Sequence, residues 1–409
     1  MKEIMNRFAR GALACVLGVV ALAHAQVEAR PVVPPGDLLL GTTLPLIGPT
    51  ARLGQDMKSG IEAALGEVNA AGGIGGRKIH LVALDDGYEP DRAAANARAL
   101  IEKHGVLAMV GCVGTPTAVA TIPIAVESKT LFYGAFTGAG VLRKDPPERY
   151  VVNFRASYAQ ETGEMVDALV AHAGLKPEEV GFFTQRDAYG DAGYSGGMAA
   201  LRRHGLKNDA AVAHGRYERN TEAVENALAD LMSASVPVRA VIMVGAYQPC
   251  AKFVRLSREM DFSPLFLNVS FVGTEAFIEA AGTASEGVII TQVVPAINDD
   301  SPVTRAYQTA LPMWSPGAKP GYGSLEGYVA TRILLRAMAQ VQGEVTREAL
   351  VDALEGMGEF EIGLGTTLSL SKTDHQASNG VWPTIVRDGR AVWMPWSALG
   401  GSRVGGVPE

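Results

Sequence analysis

The fold is decided by residues 106–123, which read VLAMVGCVGTPTAVATIP. The apolar run 106–110 predicts a short buried strand, and a glycine-containing turn leads from it into a helix that begins near Thr115. Pro116 suits the first helical position, and Thr115 suits the N-cap before it. Unpaired N–H groups and partial positive charge at a helix start can hold a carboxylate or another polar group. A capped helix with nothing bound is the alternative, and this stretch alone leaves both open.

Strand-like and helix-like segments alternate on both sides of this stretch. The alternation runs through residues 37–133 and starts again at residues 160–260. Such a pattern predicts parallel sheets with helices on both faces. Residues 366–396 read instead as antiparallel strands joined by turns such as Asp388-Gly389. The predicted class is therefore α/β, with two doubly wound parallel-sheet lobes whose carboxyl edges face a shared crevice.

Residues 1–25 have the features of a secretory signal peptide. Basic residues precede an apolar run at residues 11–23 that is too short to span a bilayer, and the small-x-small pattern Ala-His-Ala follows at residues 23–25. Cys15 lies inside the apolar run, so we reject it as a lipid anchor. No other stretch is apolar and long enough for a membrane helix. We expect a soluble periplasmic protein that begins at Gln26.

Composition and charge narrow the possible partners. A chain of 409 residues is long enough for two domains. Its contents of 47% hydrophobic and 19% charged residues are typical of a globular protein. Removing three basic residues and one acidic residue with the signal peptide moves the formal charge from −7 to −9. This charge argues against nucleic acid and anionic membranes as partners. Cys112 and Cys250 are too few for a disulfide framework, and the sequence does not tell whether they pair.

Enzymatic alternatives find little support in the sequence. Residues 193–197 match the G-x-S-x-G pattern of serine hydrolases, but a nucleophile elbow follows a strand directly. Here about ten residues separate Ser195 from the predicted strand end near Thr184. Asp85 and Asp86 end a strand, where carboxylates commonly accept N–H groups of the next turn. No histidine has zinc-type spacing. We therefore expect no catalytic residues, no metal and no cofactor.

Seven motifs are spread over residues 37–396, in this order: Gly48-Pro49-Thr50-Ala51 with Gly54, Asn69-Ala70-Ala71-Gly72-Gly73-Ile74, Asp85-Asp86, the stretch from Gly111 to Pro123, Asp187-Ala188-Tyr189-Gly190, Gly245-Ala246-Tyr247-Gln248-Pro249 and Glu286-Gly287. These motifs and their order resemble those of the type I periplasmic binding proteins, in the branched-chain amino acid receptor group.

The resemblance implies a two-lobe division with three crossings between the lobes. The crossings are expected near Arg155, Gly287 and Gly363. Lobe 1 would comprise residues 37–155 and 287–363, and lobe 2 would comprise residues 156–286 and 364–409. Closure of the lobes about this hinge would trap a ligand between them.

The resemblance also implies a set of ligand-binding residues. Those of lobe 1 would be Leu53, Gly114, Thr115, Ala135, Phe136 and Thr137. Those of lobe 2 would be Tyr189, Tyr247, Ser270 and Phe271. The threonine hydroxyl and N–H groups would hold a carboxylate, and the aromatic side chains would close over the ligand. The alternative for the threonines is helix capping alone, and the alternative for the tyrosines is an ordinary surface or core position.

The implied function is that of a monomeric receptor which delivers a small polar, carboxylate or amide ligand to an inner-membrane ABC permease. The same fold also serves in sensors, and a one-chain sensor would need a membrane helix and an output domain after the lobes. We recognise neither up to Glu409. A sensing role would therefore require a separate signalling partner.

One position bears on which ligand binds. Amino acid receptors of this family carry a glutamate that accepts the ligand's α-ammonium group, and Ser270 stands at the corresponding position here. A buried ammonium group without an anionic partner is costly. We therefore expect weak binding of leucine, isoleucine and valine, and a preference for an acid without the ammonium group, or else an amide. Asp187 or Glu275 could supply the missing charge instead.

Overall fold

The computed structural model describes residues 36–401 together with Pro34. The predicted signal peptide, with its cleavage site before Gln26, lies outside the described residues, as do residues 402–409 of the predicted lobe 2.

A five-stranded parallel sheet is formed by the first part of the described chain. Its strands run in the spatial order β2-β1-β3-β4-β5, and every pair in it is parallel. The elements in chain order are β1 (Leu38–Leu44), α1 (Ala51–Ala70), β2 (Ile79–Asp85), α2 (Pro90–Arg98), β3 (Ala108–Val110), α3 (Thr115–Glu127), β4 (Leu131–Tyr133) and β5 (Val151–Val152).

A seven-stranded sheet follows in the second part of the chain. The next elements are α4 (Tyr158–Ala171), β6 (Val180–Gln185), α5 (Ala188–Arg203), β7 (His214–Tyr217), α6 (Glu225–Met232), β8 (Ala240–Val244), α7 (Tyr247–Glu259), β9 (Leu265–Asn268), α8 (Thr274–Ala281) and β10 (Ile289–Gln292). The last ones are α9 (Pro302–Trp314), α10 (Tyr322–Gln340), α11 (Arg347–Glu355), β11 (Gly358–Phe360), β12 (Leu368–Leu370), β13 (Trp382–Arg387) and β14 (Arg390–Trp393). The order in the sheet is β14-β13-β10-β9-β8-β6-β7, with β13 and β14 antiparallel and the other five strands parallel.

We keep the names lobe 1 and lobe 2 for the parts around the five-stranded and the seven-stranded sheet. The helices after β10 return to lobe 1. There α10 packs against α1 in backbone contact, since a Cβ at Gly60 would lie only 1.9 Å from the carbonyl oxygen of Ser324. Glycine at this position lets the two helices approach closely.

The predicted crossing at Gly287 is too early. Strand β10 pairs in parallel with β9 and antiparallel with β13, so Ile289–Gln292 belongs to the sheet of lobe 2. Pairing with β9 and β13 satisfies the backbone hydrogen-bonding groups of this apolar strand, so the chain crosses to lobe 1 only after β10. The other boundaries of the two-lobe division stay a prediction.

Both cysteines of the described chain are buried and unpaired. Cys112 follows β3 in lobe 1 and Cys250 lies on α7 in lobe 2, and burial raises the pKa of the Cys112 thiol to about 12. Among the residues that the structure describes, we find no helix long and apolar enough to cross a membrane. The same residues contain no group of three side chains suited to hold a metal ion.

Candidate binding cleft between the lobes

The start of α3 differs by one residue from the prediction. Gly114 is the N-cap, with a φ of 102°, and the helix begins at Thr115, so that Pro116 occupies its second position. Thr115 therefore does not cap the helix, and its hydroxyl group forms a hydrogen bond of 2.6 Å with that of Thr137. A Cβ at residue 114 would lie 2.2 Å from the ring of Tyr88, so only glycine lets this ring pack beside the helix start.

The segment after β4 completes the lobe 1 side of the cleft. The N–H of Phe136 donates to the carbonyl of Cys112 at 2.9 Å, and the carbonyl of Phe136 accepts from the N–H of Gly114 at 3.2 Å. These bonds continue the parallel pairing of β3 and β4 beyond the strands. As a result, Ala135 and Thr137 lie beside the start of α3.

Two tyrosines at helix starts form part of the lobe 2 side. The carboxylate of Asp187 caps α5 by accepting the N–H of Tyr189 at 3.0 Å, and the Tyr189 hydroxyl group donates to the carbonyl of Gly245 at 3.3 Å. Tyr247 begins α7, and its hydroxyl group lies beside the backbone of Arg52 on α1. Tyr247 therefore reaches from lobe 2 to lobe 1.

Phe271 joins the two lobes through an aromatic layer. Its ring centroid lies 5.2 Å from Phe136 and 6.1 Å from Tyr88, both in lobe 1. On the lobe 2 side it lies 4.6 Å from Tyr189 and 6.5 Å from Tyr158. The Phe271 side chain is fully buried. We call these five rings the aromatic layer.

Leu53 on α1 lies against the turn that carries Phe271. Its Cδ2 atom would lie 2.4 Å from a Cβ at Gly273, which follows the turn that carries Phe271. All ten predicted ligand-binding residues are buried: Leu53, Gly114, Thr115, Ala135, Phe136, Thr137, Tyr189, Tyr247, Ser270 and Phe271. That a ligand contacts them stays a prediction.

The surroundings of Ser270 differ from what its sequence position led us to expect. Its N–H donates to Glu161 Oε2 at 2.8 Å and its hydroxyl group donates to Glu161 Oε1 at 3.0 Å. The same hydroxyl group accepts a hydrogen bond from Arg155. Glu161 of α4 therefore places a carboxylate beside Ser270, the position at which the resemblance implied that an acid is missing.

Arg155 is the centre of a buried charged cluster that the sequence reasoning missed. Its Nη2 lies 3.0 Å from Glu161 Oε1 in lobe 2, and its Nη1 lies 3.4 Å from Glu326 Oε1 on α10 in lobe 1. The three side chains are at most 3% exposed. We call Arg155, Glu161, Glu326 and Ser270 the Arg155 cluster. No local signal could have found it, because glutamates in amphipathic helices usually face solvent.

The two glutamates of the cluster differ in the number and length of the hydrogen bonds that they accept. Glu161 accepts hydrogen bonds from Arg155, from both polar groups of Ser270 and from the hydroxyl group of Thr291 at 2.6 Å. Glu326 accepts only long bonds from Arg155, at 3.4 and 3.5 Å, among the described residues. Burial raises the pKa of Glu326 to about 7, against the opposing effect of Arg155. The carboxylates in turn keep the pKa of Arg155 above its ordinary value despite its burial.

We expect Glu326→Gln to change the pH dependence of stability. Below pH 4.5 the Glu326 carboxyl group is neutral in the folded and unfolded protein alike. Between pH 4.5 and about 7 only the unfolded chain loses the proton, so the free energy of unfolding of the natural protein falls as the pH rises. The variant should lack this fall, which amounts to about 1–3 kcal/mol.

Urea unfolding at pH 4.5, 6 and 8 measures this difference. Glu344→Gln, at an exposed position, is the control and should keep the natural pH dependence. Parallel curves for Glu326→Gln and the natural protein would contradict the expectation.

The two carboxylates considered as alternative partners for an ammonium group are both engaged. Asp187 caps α5 and also lies 3.4 Å from Arg219. Glu275 on α8 accepts the N–H of Tyr322 at 3.3 Å, at the start of α10, and burial raises its pKa to about 7. The contact of Glu275 with Tyr322 joins lobe 2 to lobe 1.

The residues considered for catalysis lie in ordinary structural surroundings. Ser195 lies in the middle of α5 and not on a strand-to-helix turn. Asp86 accepts the N–H of Tyr88 and the hydroxyl group of Thr43, both at 2.8 Å. Asp85 accepts the N–H of Leu46 at 2.7 Å. The aspartates therefore hold turns, as predicted.

Comparisons with known proteins agree with this architecture. The model of the family described as Periplasmic binding protein matches residues 39–391. A crystal structure of a possible leucine/isoleucine/valine-binding protein from Rhodopirellula baltica is 48% identical, with a TM-score of 0.86, and the match covers 88% of this chain and 97% of that one. Leu/Ile/Val-binding protein homolog 7 of Brucella abortus is 24% identical over 383 residues, which covers 88% of this chain and 92% of the homolog. An amino acid binding protein of Pseudomonas aeruginosa is 27% identical over 277 residues, or 67% and 72% of the two chains.

Two α/β halves that meet in a buried layer define a substrate-binding protein with two lobes. The chain belongs to the type I periplasmic binding proteins, in the family of branched-chain amino acid receptors. It is a binding protein and not an enzyme. The predicted family and fold class are confirmed.

Proposed function

We propose that this protein is an exported receptor which captures a small polar or carboxylate-bearing molecule between its lobes and delivers it to an inner-membrane ABC permease. The observation that carries the proposal is the aromatic layer, to which lobe 1 contributes Phe136 and Tyr88 and lobe 2 contributes Phe271 and Tyr189. A ligand held between such surfaces would contact both lobes at once. The names of the relatives as amino acid binding proteins support a small organic ligand.

The export and the partners belong to the same proposal. We propose that residues 1–25 are removed and that the mature protein, beginning at Gln26, acts as a monomer in the periplasm. The basic start, the short apolar run and the Ala-His-Ala pattern support this. Transfer of the ligand to a separate signalling partner is the alternative for the same receptor.

A thermal-shift screen of amino acids, aliphatic and aromatic acids, and amides tests the receptor function. A ligand that binds only the folded protein should raise its stability by about 2.7 kcal/mol when present at 100 times its dissociation constant. If no small molecule in a broad screen raises the melting temperature, the proposed function is wrong.

We expect a ligand from this screen to close the lobes. Cross-lobe contacts such as those of Phe271 with Phe136 and of Glu275 with Tyr322 form only when the lobes are together. Small-angle scattering should therefore show a smaller radius of gyration at saturating ligand. A non-binding compound at equal concentration is the control. An unchanged radius with a tight ligand would count against closure.

A further inference from the structure

Two buried hydrogen-bond donors beside the aromatic layer have no partner. Within the described residues 36–401, neither the Nε of Arg155 nor the hydroxyl group of Tyr158 forms a hydrogen bond. The two side chains are at most 1% exposed. A buried donor without a partner destabilises a fold, so these two donors point to an acceptor that the protein itself does not supply.

The two donors border the predicted ligand site. The guanidinium group of Arg155 lies 5.2 Å from the ring centroid of Phe136 and 5.6 Å from that of Tyr158. The Tyr158 hydroxyl group lies near that of Thr137 but outside hydrogen-bonding geometry, and the Thr137 hydroxyl group pairs with Thr115 at the start of α3. Donors from the crossing segment, from α4 and from the end of β4 therefore converge at one end of the aromatic layer.

The charges around this point favour an anion. Glu161 is fully occupied by donors of the protein, so it has no capacity left for a ligand ammonium group. Glu326 faces Arg155, and its raised pKa leaves it only partly charged near pH 7. A second guanidinium group, that of Arg143, lies near enough to act on Glu326. Two guanidinium groups thus lie near Glu326, whose raised pKa lowers its negative charge at neutral pH.

We propose that Arg155, through Nε, and Tyr158, through its hydroxyl group, hold the carboxylate of the ligand at the end of the cleft bordered by Thr137, and that the receptor selects carboxylic acids without an ammonium group. The inference rests on the proposed receptor function and names its substrate class. It assigns specificity to two residues outside the set carried over from the family.

Calorimetry with probes of matched carbon skeleton tests the proposal. The probes are 3-phenylpropanoate, 3-phenylpropanamide and L-phenylalanine, together with 4-methylpentanoate, 4-methylpentanamide and L-leucine. Tyr158→Phe removes only a hydroxyl group without a partner, so the variant should fold normally. Tyr194→Phe is the matched control, because Tyr194 stacks on His214 at 4.0 Å, outside the aromatic layer.

At least one acid should bind, and the amino acid of the same skeleton should bind at least 100-fold more weakly. Tyr158→Phe should weaken binding of that acid at least tenfold, and Tyr194→Phe should change it less than twofold. An amino acid that binds as tightly as its acid, or an acid whose binding Tyr158→Phe leaves unchanged, would overturn the inference.

The failure of this inference can be told apart from failure of the receptor function. Binding of an amide or an amino acid in the absence of acid binding overturns the inference and leaves the receptor function standing. Binding of none of the six probes also overturns the inference as to substrate class. The receptor function fails only if the broad thermal-shift screen finds no ligand either.

Discussion

Replacing Phe271 with alanine is expected to lower the free energy of unfolding by about 3–5 kcal/mol. The Phe271 ring is fully buried and packs against rings of both lobes, at 4.6 Å from Tyr189 and 5.2 Å from Phe136. The substitution leaves a cavity that neither lobe can fill by itself. Urea unfolding followed by circular dichroism measures the loss.

Phe183→Ala is the matched control for this substitution. Phe183 is equally buried but stacks between Tyr217 and Phe253, at 5.2 and 4.2 Å, all within lobe 2. It should cost similar stability and leave ligand-induced closure intact, whereas Phe271→Ala should weaken closure as measured by small-angle scattering. A loss below 1 kcal/mol for Phe271→Ala, or an equal effect of both variants on closure, would show that Phe271 does not join the lobes.

Replacing Arg155 with methionine is expected to lower the free energy of unfolding by about 3–5 kcal/mol at neutral pH. The substitution leaves Glu161 and Glu326 buried without their cation. The pKa of Glu326 is already raised by burial and should rise further in the folded variant, so that folding takes up protons. The free energy of unfolding of the variant should therefore recover as the pH falls from 8 to 5, as follows from proton linkage.

Two further variants sharpen this test. Adding Glu161→Gln and Glu326→Gln to Arg155→Met removes the uncompensated charges and should recover part of the loss. Arg202→Met breaks an ion pair with Asp209 whose partners are both more than half exposed, and it should cost less than about 1 kcal/mol. A cost for Arg155→Met as small as that of Arg202→Met, or a cost independent of pH, would mean that the Arg155 cluster is not a stabilising ion network.

The sequence by itself determined the α/β class and most of the helices and strands, and its motifs indicated the family by resemblance. The class and the elements depend on local patterns, since apolar residues at helical or strand spacing define which face of each element is buried. The start of α3 was predicted to within one residue because its glycine, threonine and proline each favour the backbone conformations found at the start of a helix.

Only the tertiary structure decided how the charges inside the cleft are arranged. Arg155 and Glu326 are 171 residues apart in sequence, and Ser270 is 109 residues from Glu161, yet they form one buried cluster. A glutamate in a helix has the same local pattern whether it faces water or a distant arginine. Its burial depends on which surfaces the two sheets bring together, and the same holds for the unpartnered donors of Arg155 and Tyr158.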